Sequence, residues 1–218
     1  MTQLPARVLP RPSALLPGLA AAVAGGLVTG GFGAWAYYAT RFNPLAHTFG
    51  LWITLVALLS AQRSVLEAAV RSVAGLAAAV LSFYIGQKVV YDQRYSPPLP
   101  FPADQIREWL VLALVAGVLL GWAFHRIGRD DRAGALATAA AVGLLVGDAF
   151  RRGWRYSGDG AVLAVTAALC VCVLLTVAVR SRRQLLAVLL WSVPMAAAGV
   201  LLVSLPDALE QVLLTGGP

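Results

Sequence analysis

Residues Gly160–Val179 read GAVLAVTAALCVCVLLTVAV. No charge interrupts them, and Arg180, Arg182 and Arg183 follow at once. A helix of about 20 apolar residues crosses a hydrocarbon core about 30 Å thick, so this stretch fixes the solvent in which the chain folds. Working outward, six more apolar stretches take up most of the chain: Leu16–Thr40, Leu45–Ala61, Ala68–Val90, Trp109–Phe124, Ala133–Phe150 and Leu185–Leu205. Of 218 residues, 59% are hydrophobic and only 12% charged, where soluble domains carry about a quarter. The expected fold is all-α: a polytopic transmembrane helical bundle of about seven helices. The second stretch is short for a full crossing, and six helices plus a re-entrant hairpin fit the same pattern.

No soluble domain fits between the spans. Residues 1–15 read as a cytoplasmic lead-in, and Pro5, Pro10, Pro12 and Pro17 are expected to keep the approach to the first span extended. Residues 16–205 form the bundle, and residues 206–218 a short outer segment. The first apolar run is longer than a signal-peptide core of about 7–15 residues, so an uncleaved first span is expected. Ser204-Leu205-Pro206-Asp207 has capping-box spacing and would open a separate outer helix up to Leu214. Pro194 is expected to kink the last span.

Basic residues near the span ends set the orientation. With the N-terminus inside and the C-terminus outside, ten of the 17 basic residues lie inside, among them Arg63, Arg71, Arg126, Arg129, Arg132, Arg180, Arg182 and Arg183. Most acids then fall outside, and the inner surface carries the net charge of +7. Topology and attraction to an anionic inner leaflet explain that charge, and no nucleic-acid partner is expected. The arginine-rich, alanine- and glycine-rich composition points to a bacterial cytoplasmic (inner) membrane.

Gly26-xxx-Gly30, Gly117-xxx-Gly121 and Gly143-xxx-Gly147 place small residues on single helix faces. Such faces let backbones approach closely where lipid removes the hydrophobic drive between helices. Arg63, Glu67 and Arg71 recur every four residues as one salt-bridged stripe. Cys170 and Cys172 point to nearly opposite helix faces and cannot pair with each other. No internal repeat stands out in the sequence, and an inverted three-plus-three arrangement is not demonstrated by it.

The sharpest polar feature is Gly147-Asp148-Ala149-Phe150-Arg151-Arg152-Gly153-Trp154, at the outer end of the fifth span. Asp148, Arg151 and Arg152 share a helix face, and an ionisable residue this close to hydrocarbon is a functional-site candidate. An ion pair that lets the helix end reach the interface is the simpler explanation of them. Lys88, Tyr91 and Asp92 end the third span and His47 starts the second, all on the same outer side. Aromatic residues also concentrate there. The stiff segment Tyr95–Pro102 would lie over this vestibule as a lid, or belong to a thick aromatic girdle. The candidate ligand-binding residues are therefore Asp148, Arg151, Arg152, Lys88, Asp92, His47, Tyr91 and Trp154. No metal-ligand set, nucleophile–base pair or phosphate loop can be assembled, so no catalytic residue, metal or cofactor is expected.

Seven spans invite comparison with rhodopsins, but the last span has no lysine to hold a retinal. On Asn43-Pro44 before the second span and Gly147-Asp148 in the fifth, the chain resembles small uncharacterised multi-pass membrane proteins of actinobacteria, a resemblance that implies no activity. In size and in its Ala/Gly-rich helices it also resembles the six-span substrate-binding components of energy-coupling-factor transporters. The expected function is small-solute transport or solute binding at an outward-facing polar-aromatic site. Its partners would be the bilayer, a small polar or charged solute, and a membrane protein or second copy. An accessory subunit of a larger membrane complex is the alternative, and an intramembrane enzyme ranks third.

Overall fold

The computed structural model describes residues 15–155, 158 and 160–215. The lead-in with Arg7 and Arg11, Tyr156 and Asp159 lie outside them, as do the side chains of Arg155, Asp207 and Glu210. The described residues form α1 (Leu15–Tyr37), α2 (Asn43–Ala46), α3 (Gly50–Ser60), α4 (Val65–Arg94), α5 (Ala103–Phe124), α6 (Arg132–Arg155), α7 (Gly160–Ala178) and α8 (Arg182–Thr215). Six of these, α1 and α4 to α8, are long and apolar enough to cross a membrane. The chain is an all-helical, multi-pass membrane protein.

The second apolar stretch is neither one helix nor a hairpin. It breaks into the single turn of α2 and the 11 residues of α3, which rise only about 16 Å. Even so, this segment crosses. Gly18 of α1 lies at Arg71 of α4, Gly26 at Gly75 and Ala78, Gly30 at Ala79, and Gly33 at Phe83. The two helices therefore run parallel, and the chain between them must return from one face to the other. At its far end, Gln62 N–H donates to the Ile127 carbonyl (3.1 Å), in the turn after α5.

The structure contains a repeat. Helices α1, α2 and α4 begin at Leu15, Asn43 and Val65; α6, α7 and α8 begin at Arg132, Gly160 and Arg182, each 117 residues later. Gly26 and Gly30 recur at this interval as Gly143 and Gly147. Their contacts recur with them. Gly26 abuts Ala78 and Gly30 abuts Ala79, while Gly143 abuts Met195 and Gly147 abuts Ala196. The N-caps recur as well. Ser64 Oγ accepts from Glu67 N–H (3.3 Å), and Ser181 Oγ accepts from Gln184 N–H (3.2 Å). The two halves are thus parallel three-helix units, with the first and third helices of each packed side by side at glycines. Sequence inspection missed this because the shared residues are mostly Gly, Ala and Leu, which coincide by chance in such a chain.

Helix α5 joins the repeats and packs antiparallel on α4, with Gly117 over Val73 and Gly121 over Ala69. Between the repeats, α3 meets α6 and α7. The core there includes the fully buried Val56, Val80, Phe124, Ile127, Leu145 and Leu174. Leu186, Leu190 and Val193 on α8 and Leu112, Val115 and Leu119 on α5 are exposed, as lipid-facing residues should be. The expected stripe forms at the arginine-rich face: Arg71 Nη2 lies 2.6 Å from Glu67 Oε1, and Arg63 Nη1 lies 3.8 Å from it. No separate helix opens at Ser204. Helix α8 runs through Pro194 and Pro206 to Thr215, and Ser204 Oγ donates back to the Val200 carbonyl (2.7 Å) instead of capping.

A Cβ on Gly121 would fall 2.7 Å from Ala69 Cα, a backbone atom that cannot turn aside. Gly121→Leu is expected to overpack this crossing and cost about 1–3 kcal/mol, read as a lower melting temperature in detergent. An unchanged melting temperature would contradict the α4–α5 contact.

Candidate functional site

The break in the second crossing is written in residues that stop helices. Asn43 Nδ2 donates to the Tyr37 carbonyl (2.5 Å), at the end of α1. Pro44 lies in the first turn of α2, which ends after that turn, and α3 begins anew at Gly50. A restarted helix presents N–H groups that have no partner within it. Inside a membrane no water is at hand to take them.

Asp148 of α6 answers one of them across the repeat boundary. Its Oδ2 accepts from Phe49 N–H (2.9 Å) and from the Thr48 hydroxyl. Thr48 Oγ1 in turn accepts from Gly50 N–H (3.1 Å). The Asp148 carboxyl also sits at the positive end of the α3 dipole, which favours its ionised form. Asp148 is fully buried, and its Oδ1 is a buried atom with no hydrogen-bond partner. At the repeat interval Asp148 corresponds to Gly31 and Thr48 to Val165, so this arrangement occurs once.

A chain of rings runs from this point across three helices. Phe49 lies 6.1 Å from Trp109 of α5, Trp109 6.2 Å from Trp52, and Trp52 6.4 Å from Phe83 of α4. A carboxylate beside half-buried aromatic rings suits a small solute bearing positive charge.

A family model of unknown function, DUF6518, matches residues 9–209, which cover the first repeat, α5 and all but the end of the second repeat. The chain belongs to the DUF6518 family. No curated protein and no solved structure gives a significant match.

In this DUF6518 chain the residues singled out from sequence divide into separate groups. Arg151 and Arg152 follow Asp148 by one turn on α6. Lys88 and Asp92 pair with each other (2.6 Å) on α4, and among the described residues no Cα of α4 comes within 8 Å of one of α6. Both reach the following loop: Lys88 Nζ donates to the Leu99 carbonyl and Leu99 N–H donates to Asp92 Oδ1, both at 2.8 Å. The pair clamps the proline-rich segment to the end of α4. Tyr91 packs at a tilt on Tyr95 (4.9 Å), and His47 packs on Tyr37 (5.3 Å). Trp154 stacks on Phe150 (6.0 Å) and is 82% exposed, at an apolar groove of about 600 Å³ between α6 and α7. Among the described residues no group of three His, Cys, Asp or Glu could hold a metal ion.

Thr48 and Phe49 were missed from sequence. The available signal was Pro44 and Gly50 inside one apolar run, two breakers that mark an interrupted helix.

Asp148→Ala would leave the Phe49 N–H and the Thr48 hydroxyl unsatisfied, at a cost of about 1–3 kcal/mol. Asp148→Asn keeps an oxygen in place to accept both. Melting temperatures should therefore fall clearly for Ala and little for Asn. Equal losses would mean that charge, and not capping, stabilises the break.

Proposed function

We propose that the chain is a small-solute transporter of the bacterial cytoplasmic membrane, with Asp148 at its binding site. One observation carries this reading: a buried carboxylate with one oxygen unpartnered holds the start of an interrupted helix that belongs to the other repeat. Transporters built from internal repeats bind at the repeat interface, where discontinuous helices offer their ends, and work by rocking one repeat against the other. In this reading Asp148 serves two purposes. It latches the repeats together while the site is closed, and it takes the solute when the α3 end is released.

Purified protein should be melted in the presence of small polar and charged solutes. A solute that binds raises the melting temperature, and Asp148→Asn should remove that rise while leaving the unliganded protein folded. Movement is tested with a cysteine pair at Gly50 and Leu145, since a Cβ on Gly50 would lie 3.8 Å from Leu145 Cδ2. In a background with Cys170 and Cys172 replaced by Ala, oxidation of this pair should stop solute flux in proteoliposomes, and reduction should restore it. A stoichiometric membrane partner and no bound solute would instead favour an accessory subunit.

The reading also sets the orientation, with the arginine-rich face in the cytoplasm. A reporter fused after Pro218 should be active only on the outer side.

A further inference from the structure

The proposed solute site carries more chemical information than a lone acid would. The Asp148 carboxylate is buried with Oδ1 unpartnered, so it can accept hydrogen bonds from an ammonium group. Phe49, Trp52 and Trp109 form a cluster of rings at the start of α3, beginning at the residue whose N–H Asp148 accepts. One turn along α6 stand two guanidinium groups, Arg151 and Arg152. Residues three and four apart on a helix lie about 5–6 Å apart at Cβ and share a face. Each guanidinium has five N–H donors, so an existing partner leaves donors for a carboxylate. Arginine also suits carboxylates geometrically, through two parallel hydrogen bonds.

A simple cation would meet Asp148 but also the two arginines. A simple anion would meet the arginines but also Asp148. A solute carrying both charges a few bonds apart satisfies both ends at once. The other charged cluster on this side, Lys88 and Asp92, is already occupied by Leu99. Helices α3 and α7, which pack near Asp148, carry no charged residue.

We propose that the site takes a small zwitterion with the chemistry of an α-amino acid, its ammonium on Asp148 and its carboxylate on Arg151 and Arg152. This inference rests on the transport reading and deepens it.

The test uses glycine, leucine and phenylalanine as probes, with melting temperature and calorimetry as readouts on the detergent-purified full chain. At least one should bind. Its amide, lacking the carboxylate, and its deaminated acid, lacking the ammonium, should each bind about tenfold or more weakly. Asp148→Asn should remove the discrimination against the deaminated acid. Replacing Arg151 and Arg152 by Gln should remove the discrimination against the amide. The comparison of three ligands on the parent protein needs no variant, so a variant that misfolds leaves the test intact. Binding of none of the three amino acids, or an amide that binds as well as its parent, would overturn the proposal. Asp148-dependent binding of a solute with a single charge or none would overturn it too, yet leave the transport reading standing. Absence of any solute binding beside a copurifying membrane partner would overturn both.

Discussion

Hydrocarbon offers no hydrogen bonds, so any backbone group left open inside it must be answered by protein. Seven crossings obey this constraint, and six of them do so by being long helices. The second crossing does not, because Pro44 and Gly50 divide it. Its open end is closed by Asp148, a residue almost a hundred positions away. That bond joins two repeats which also meet through apolar packing, and it buries an ionisable group where charge is expensive.

The membrane location was legible because it depends only on composition and length, and six of the seven proposed spans correspond to single long helices. The glycine pairs were legible as packing faces, since a missing side chain means the same thing in any helix of a bundle. The break was only half legible. Apolar content hid it, because Leu45–Ala61 is hydrophobic enough to cross whether or not it is one helix. The acid, Asp148, stood out in the sequence by its unusual setting, but its bonding to Thr48 and Phe49 did not. That contact joins distant parts of the chain, and nothing local encodes it. For the same reason the hold of Lys88 and Asp92 on Leu99 was not legible: spacing shows that the two can pair, but not that Leu99 joins them.

The repeat adds a second kind of constraint. Gly26, Gly30, Gly143 and Gly147 all sit where a neighbouring helix leaves no room for a Cβ. The two halves thus preserve the same helix–helix crossing with different surrounding side chains. What differs between them is the middle crossing. In the first half it is broken, and in the second it is the uninterrupted, uncharged α7. The place where the halves cease to match is the place where they are joined by Asp148.

Helix α5 belongs to neither half, and its presence settles a matter of parity. A unit of three crossings ends on the face opposite to its start. A second copy attached directly would be inserted upside down, and Arg180, Arg182 and Arg183 would lie across the bilayer from Arg63 and Arg71. One additional crossing turns the second copy upright and gathers these arginines on a single face. A duplicated three-helix unit of this charge pattern can be accommodated in one polypeptide only with such a spacer, because the charge bias that orients the first half must orient the second in the same sense.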